Sequence, residues 1–116
     1  MIEEGYTSVI ICESKIDALT CWAYGYVACA MLGTGSAEQY QVLNKSPIRN
    51  YVLMFDGDPA GRKGARNFQK YIRDDVFVEN VKLPEGKDIN NLNKFEFDTL
   101  LKNYGVDDCL RINSCT

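Results

Sequence analysis

The sequence predicts an α/β fold, a four-stranded parallel sheet flanked by helices on both faces in three layers. Two observations predict it. Candidate strands and candidate helices alternate along the chain, which is the signature of β-α-β units. The strand candidates are also continuous apolar runs, as expected of strands covered on both faces, rather than alternating apolar and polar residues. A chain of 116 residues, 46% of them apolar, is long enough for one compact domain with its own core and too short for two.

The elements follow in order. Residues 7–12 (TSVIIC) form a β-branched apolar run and read as a buried strand. Ser14 opens a Ser-x-x-Asp start ending at Asp17, a variant of the capping box, so a helix begins here. Ile16, Leu19 and Ala23 recur in it at helical spacing, and Gly25 ends it. Residues 26–31 (YVACAM) read as a second strand. Gly33-Thr34-Gly35 is a turn, and Ser36 caps a helix reaching about Asn44, stopped by Ser46-Pro47. Residues 51–55 (YVLMF) form the most apolar strand. The polar turn at residues 56–61 (DGDPAG) leads into a helix over residues 62–73. A fourth strand spans residues 76–81, a loop covers residues 84–88, and a last helix runs over about residues 92–103. The domain is therefore placed at residues 1–104, with residues 105–116 as a C-terminal tail of no assigned role.

Composition narrows the chemistry. The sequence has no histidine, and its five cysteines contain no Cys-x-x-Cys pair. A zinc centre is therefore not expected. Cys12 and Cys29 lie in apolar runs and read as small core residues. Without histidine, the usual Ser-His and Cys-His nucleophile pairs are also excluded. Charged residues make up 25% and the net charge is -3, which argues against tight nucleic-acid binding by this chain alone. No run is long enough to span a bilayer, and the acidic N-terminus does not resemble a signal peptide. The expectation is a cytoplasmic chain with no membrane partner.

Asp56-Gly57-Asp58 puts two carboxylates two residues apart at a strand end. Like charges at that separation repel unless a proton or a cation intervenes, and Mg²⁺ takes oxygen ligands of this kind. Glu13, at the end of the first strand, belongs on the same rim, because ligands of open parallel sheets lie beyond the strands' carboxyl ends. The helix after the turn carries Arg62, Lys63, Arg66, Lys70 and Arg73 and no acid. Ala65, Phe68 and Ile72 form its buried side. Cations in the first turn oppose the helix dipole, so Arg62 and Arg66 read as phosphate contacts. A solvated basic face is the plainer alternative.

Together these residues resemble the Toprim family, a Rossmann-like fold, and its DNA-primase branch in particular. Three blocks carry the likeness. Residues 9–19 (VIICESKIDAL) are similar to the family's strand followed by Glu-Gly-x-x-Asp-x-Leu. Residues 52–61 (VLMFDGDPAG) resemble the primase Phe-Asp-x-Asp-x-Ala-Gly stretch. Residues 84–90 (PEGKDIN) resemble a Gly-Lys-Asp block. Leu32-Gly33-Thr34-Gly35 looks like a further glycine-rich turn. Two positions depart: Ser14 stands where glycine is usual, and Asn90 where many primases have a second aspartate.

The resemblance implies that Glu13, Asp56 and Asp58 are the catalytic acids. With Asp17 and Asp88 in support, they would hold Mg²⁺ or Mn²⁺. Arg62, Lys63, Arg66 and Lys87 are the candidate phosphate and nucleotide contacts. It further implies RNA primer synthesis on a single-stranded DNA template from nucleoside triphosphates. The remaining primase or helicase domains are implied partners, and the isolated chain is expected to have little activity alone. A small standalone Toprim protein is the other expectation of this kind. A Toprim nuclease, a receiver domain and a non-catalytic interaction module are the alternatives. A receiver would need an acidic pair after the first strand, where only Glu13 stands.

Overall fold

The computed structural model describes residues 7–31 and 37–112. The Gly33-Thr34-Gly35 turn and the Ser36 cap lie outside the described residues. Four strands, β1 (Ser8–Cys12), β2 (Ala28–Ala30), β3 (Asn50–Leu53) and β4 (Phe77–Asn80), form one parallel sheet in the order β2-β1-β3-β4. Between and after them come α1 (Lys15–Ala23), α2 (Ala37–Lys45), α3 (Pro59–Tyr71), α4 (Lys94–Asn103) and α5 (Asp107–Leu110). A 3₁₀ turn at Ile89–Asn91 precedes α4.

Successive side chains of a strand point to opposite faces, and here each face has a core of its own. Ile10, Cys12, Val52 and Met54 pack with Cys21 of α1, Phe97 and Leu101 of α4 and Leu110 of α5. Val9, Ile11, Tyr51, Leu53 and Phe55 pack with Tyr40 and Leu43 of α2 and Ala65 and Phe68 of α3. Helices thus cover both faces, and the central strands β1 and β3 are apolar throughout because neither face meets water. Cys12 is fully buried, while Cys29 is half-buried against the second cluster.

The strand order sets the site. From β1 the chain passes outward to β2, then crosses back to β3 on the other side of β1 and on to β4. The direction of winding reverses between β1 and β3, and the crevice beyond their carboxyl ends is where such sheets bind ligands.

Local structure departs from the sequence reading in four places. Helix α3 starts at Pro59 rather than at residue 62. Proline at the first helical position gives up no needed donor, and Asp58 caps it. Helix α4 starts at Lys94, where Asn93 and Glu96 make a reciprocal capping box. The stripe of Ile16 and Leu19 on α1 faces outward, with 66% and 68% exposure. Asp17 and Cys21 occupy the buried side instead. The helix is fixed in that rotation by the Trp22 indole N–H, which donates to the Ala28 carbonyl at 2.9 Å.

The fourth departure is at the C-terminus. Residues 105–112 are packed into the fold. Val106 and Leu110 are buried, and the Val27 N–H donates to the Leu110 carbonyl at 2.9 Å. Tyr26 makes an antiparallel bridge with Arg111, which draws it away from β2 and shortens that strand.

Candidate metal centre

Asp56 lies just past β3, at the switch point. Its backbone N–H donates to Oε2 of Glu13 at 2.8 Å, so the end of β1 is tied directly to the end of β3. Asp58 Oδ1 accepts the Gly61 N–H at 2.7 Å and caps α3. Asp17, on α1, is buried; its backbone N–H donates to the Ser14 hydroxyl at 3.1 Å, and its Oδ1 accepts from the Asn90 side chain at 2.6 Å. Ser14 therefore serves as the helix cap. Asp88 caps the 3₁₀ turn through a reciprocal pair with Asn91.

Two glycines make this packing possible. A Cβ on Gly61 would stand 2.0 Å from the Asp56 carbonyl oxygen, and one on Gly57 would stand 2.3 Å from the Pro84 carbonyl oxygen. The Gly57 N–H donates to the Lys87 carbonyl at 2.9 Å, and the Gly86 N–H to the Gly57 carbonyl at 2.7 Å. The loop at residues 84–88 is thereby clamped onto the Asp56-Gly57-Asp58 turn.

The five acids share one electrostatic field. Burial, followed by repulsion from Glu13, Asp17, Asp88 and Asp58, pushes the Asp56 carboxyl up to about 7. Burial is also the main cause that raises Asp17; the Ser14 bond opposes it and repulsion from Asp88 and Glu13 adds to it. Oδ1 of Asp56 is buried and has no hydrogen-bond partner. A buried polar atom without a partner is costly, and an acceptor in a field of four other carboxylates is suited to a cation.

The acids do not form a complete shell. Among the described residues, no three acidic or thiol side chains stand close enough to hold one ion between them. Glu13, Asp17, Asp58 and Asp88 each already accept a hydrogen bond from the protein. One or two of these carboxylates could hold a hard divalent cation, with water completing the coordination.

Asp56 also borders a cavity of about 320 Å³ between α3 and the end of β4. Phe55, Ala65, Val81 and Leu83 supply apolar walls, while Arg62, Arg66 and Lys82 bring positive charge and Glu85 a negative one beside Asp56. Arg62 and Arg66 thus meet Asp56 at one cavity. Lys63 and Lys87 do not line it; both are exposed. Arg73 belongs to the scaffold, its guanidinium donating to the carbonyls of Asn44 at 2.5 Å and Ile48 at 3.2 Å. Sequence reasoning did not single out Lys82 and Asn80, which also lines the cavity. Their place at the end of β4, beside the strand carrying Asp56, is the signal that would have found them.

Similarity to known proteins agrees with this architecture. The Toprim-like family model matches residues 10–93. A DNA primase of Deinococcus radiodurans is 32% identical over 87 residues, covering 72% of this chain and 15% of that protein. The Aquifex aeolicus primase structure (zinc-binding and RNA polymerase domains) matches with TM-score 0.71 and 27% identity, over 84% of this chain and 26% of that one. A small Toprim domain protein from Bacillus stearothermophilus matches with TM-score 0.69 over 88% of this chain and 91% of its own. At 19% identity it bears on the fold alone. The chain is thus related to DNA primases over a small part of their length, and it belongs to the Toprim-like family.

Proposed function

We propose that this chain is the divalent-metal-binding domain of a DNA-primase-type nucleotidyltransferase, supporting RNA primer synthesis on single-stranded DNA. One observation carries the reading: the buried, unpartnered Oδ1 of Asp56 in the field of four other carboxylates, beside a cavity lined by two arginines. Mg²⁺ or Mn²⁺ bound there would neutralise phosphate charge and orient the transferring group.

The protein's own residues divide the remaining work. Asp56 offers the free carboxylate oxygen. Glu13 fixes the backbone of Asp56, and Glu13 and Asp58 complete the acidic floor as the other two catalytic acids. Asp17 and Asp88 add to the negative field. Arg62 and Arg66 meet the triphosphate of an incoming nucleotide in the adjoining cavity. Lys63 and Lys87, exposed and outside the cavity lining, take more distant contacts with phosphate or template. Template guidance falls to other primase or helicase domains, since the net charge of -3 gives this chain little grip on DNA.

A Mg²⁺ titration followed residue by residue by NMR tests the reading. Saturable shifts centred on Glu13, Asp17, Asp56 and Asp58, absent in Asp56→Asn, are expected. Weak, uniform shifts that persist in Asp56→Asn would overturn it. Incubation with labelled DNA and Mn²⁺ distinguishes the reaction class, since strand cleavage would mark a nuclease instead.

A further inference from the structure

We propose that Asn90 is a positioning residue that holds Asp17 in the acid cluster, and that Thr20 in turn fixes the orientation of Asn90. The inference rests on the metal-binding reading above.

The geometry is a relay between α1 and the 3₁₀ turn. The Asn90 side-chain amide donates to Asp17 Oδ1 at 2.6 Å across 73 residues of sequence. A carboxylate oxygen only accepts, so the NH₂ end of Asn90 must face Asp17. That leaves the amide oxygen of Asn90 on the other side, where the Thr20 hydroxyl meets it. Thr20 stands on α1, one turn beyond Asp17, and its hydroxyl also lies 3.0 Å from the Ile16 carbonyl. A hydroxyl has one proton, so facing an amide oxygen it must donate to Asn90 for the relay to hold.

Asp17 needs such a partner. It is the one buried charged residue among those described, and a buried charge without a hydrogen-bonding partner is costly. An unheld carboxylate there would turn away from the cluster toward solvent. Asn90 is suited to hold it because the amide is neutral and donates. An aspartate at position 90 would instead set a sixth carboxylate against Asp17. Asn90 is itself exposed, and the 3₁₀ turn has separate anchors in its Asp88–Asn91 pair and the bond from the Tyr24 hydroxyl to the Leu92 carbonyl at 2.8 Å. Truncating Asn90 should therefore spare the fold and disturb the site.

The test is a double-mutant cycle on Mn²⁺ affinity, read from the enhancement of water proton relaxation, using the full chain as wild type, Asn90→Ala, Thr20→Val and the double variant. Asp56→Asn serves as the reference that removes the site. Residues that orient metal ligands typically change affinity by about 10- to 100-fold. Asn90→Ala is expected near the lower end, about tenfold weaker. Thr20→Val should weaken binding less, and it should add nothing once Asn90 is gone. Unfolding midpoints measured without metal separate this from a general loss of structure.

If Asp56→Asn abolishes binding while Asn90→Ala binds Mn²⁺ as the wild type does, the proposal falls and the metal reading stands. Additive losses in the double variant would also overturn it, since a relay requires coupling. If the wild-type chain shows no saturable Mn²⁺ binding, the metal reading itself falls and the proposal with it.

Discussion

Replacing Asp56 with asparagine removes one negative charge from the most crowded point of the acid cluster and keeps the shape of the side chain. Aspartate ordinarily titrates near 3.8, and here it is pushed up to about 7. A folded value above the unfolded one means that the folded state holds the proton more tightly. The contribution of Asp56 to stability is therefore fully present below about pH 4 and lost as the pH rises through about 7. Raising the carboxyl from 3.8 to about 7 corresponds to about 4 kcal/mol at full weight. Asp56 is only half-buried, and solvent screening reduces this to about 1–2 kcal/mol.

The asparagine amide does not titrate. Asp56→Asn is therefore predicted to be more stable than the wild type by about 1–2 kcal/mol at about pH 8 without divalent metal, and no more stable at about pH 4. Urea unfolding at a series of pH values checks this, provided the slopes of the two proteins agree. Saturating Mg²⁺ should stabilise the wild type and not the variant, because only the former gains binding energy on folding. A variant less stable than the wild type at every pH would refute the reasoning and give Asp56 a structural role. A pH-independent difference would contradict the electrostatic account.

Gly61→Ala sets two effects against each other. Helix propensity alone predicts a gain of about 1 kcal/mol, but the new Cβ would meet the Asp56 carbonyl at 2.0 Å. A loss of about 1–3 kcal/mol is predicted, with weaker Mg²⁺ binding, measurable by thermal unfolding and calorimetry. Leu110→Ala should cost about 2–5 kcal/mol, and a chain truncated after residue 104 should lose cooperative unfolding. Circular dichroism melts read both. Arg73→Ala should lower stability and leave nucleotide affinity unchanged. Arg66→Ala should do the reverse, as shown by melting and fluorescent-nucleotide binding run on the same samples.

Much of this architecture was legible because sequence and burial tell the same story at β1 and β3. Val9-Ile10-Ile11 and Val52-Leu53-Met54 are apolar without interruption because each run feeds two cores. The acidic turn could be read from residue types and spacing alone, and so could the place of Glu13 on the same rim. The rotation of α1 could not. Its apolar stripe at Ile16 and Leu19 points outward, since Asp17 is held by Asn90 and Trp22 by the Ala28 carbonyl, contacts 73 and 6 residues away. The packing of Leu110 was hidden for a similar reason. A four-residue helix has too little periodicity to stand out, and its partner Val27 lies far off in sequence. Nor could the basic residues between Arg62 and Arg73 be divided from sequence. Arg62 and Arg66 line the cavity while Arg73 binds main-chain carbonyls, a distinction made by neighbours from α2 and β4.

The most direct measurement is anomalous diffraction from crystals of the chain soaked in Mn²⁺. The account predicts one dominant peak about 2.0–2.3 Å from Asp56 Oδ1, with water filling most of the remaining positions. A peak bound elsewhere on the surface, with Asp56 Oδ1 still bare at saturating Mn²⁺, would contradict it.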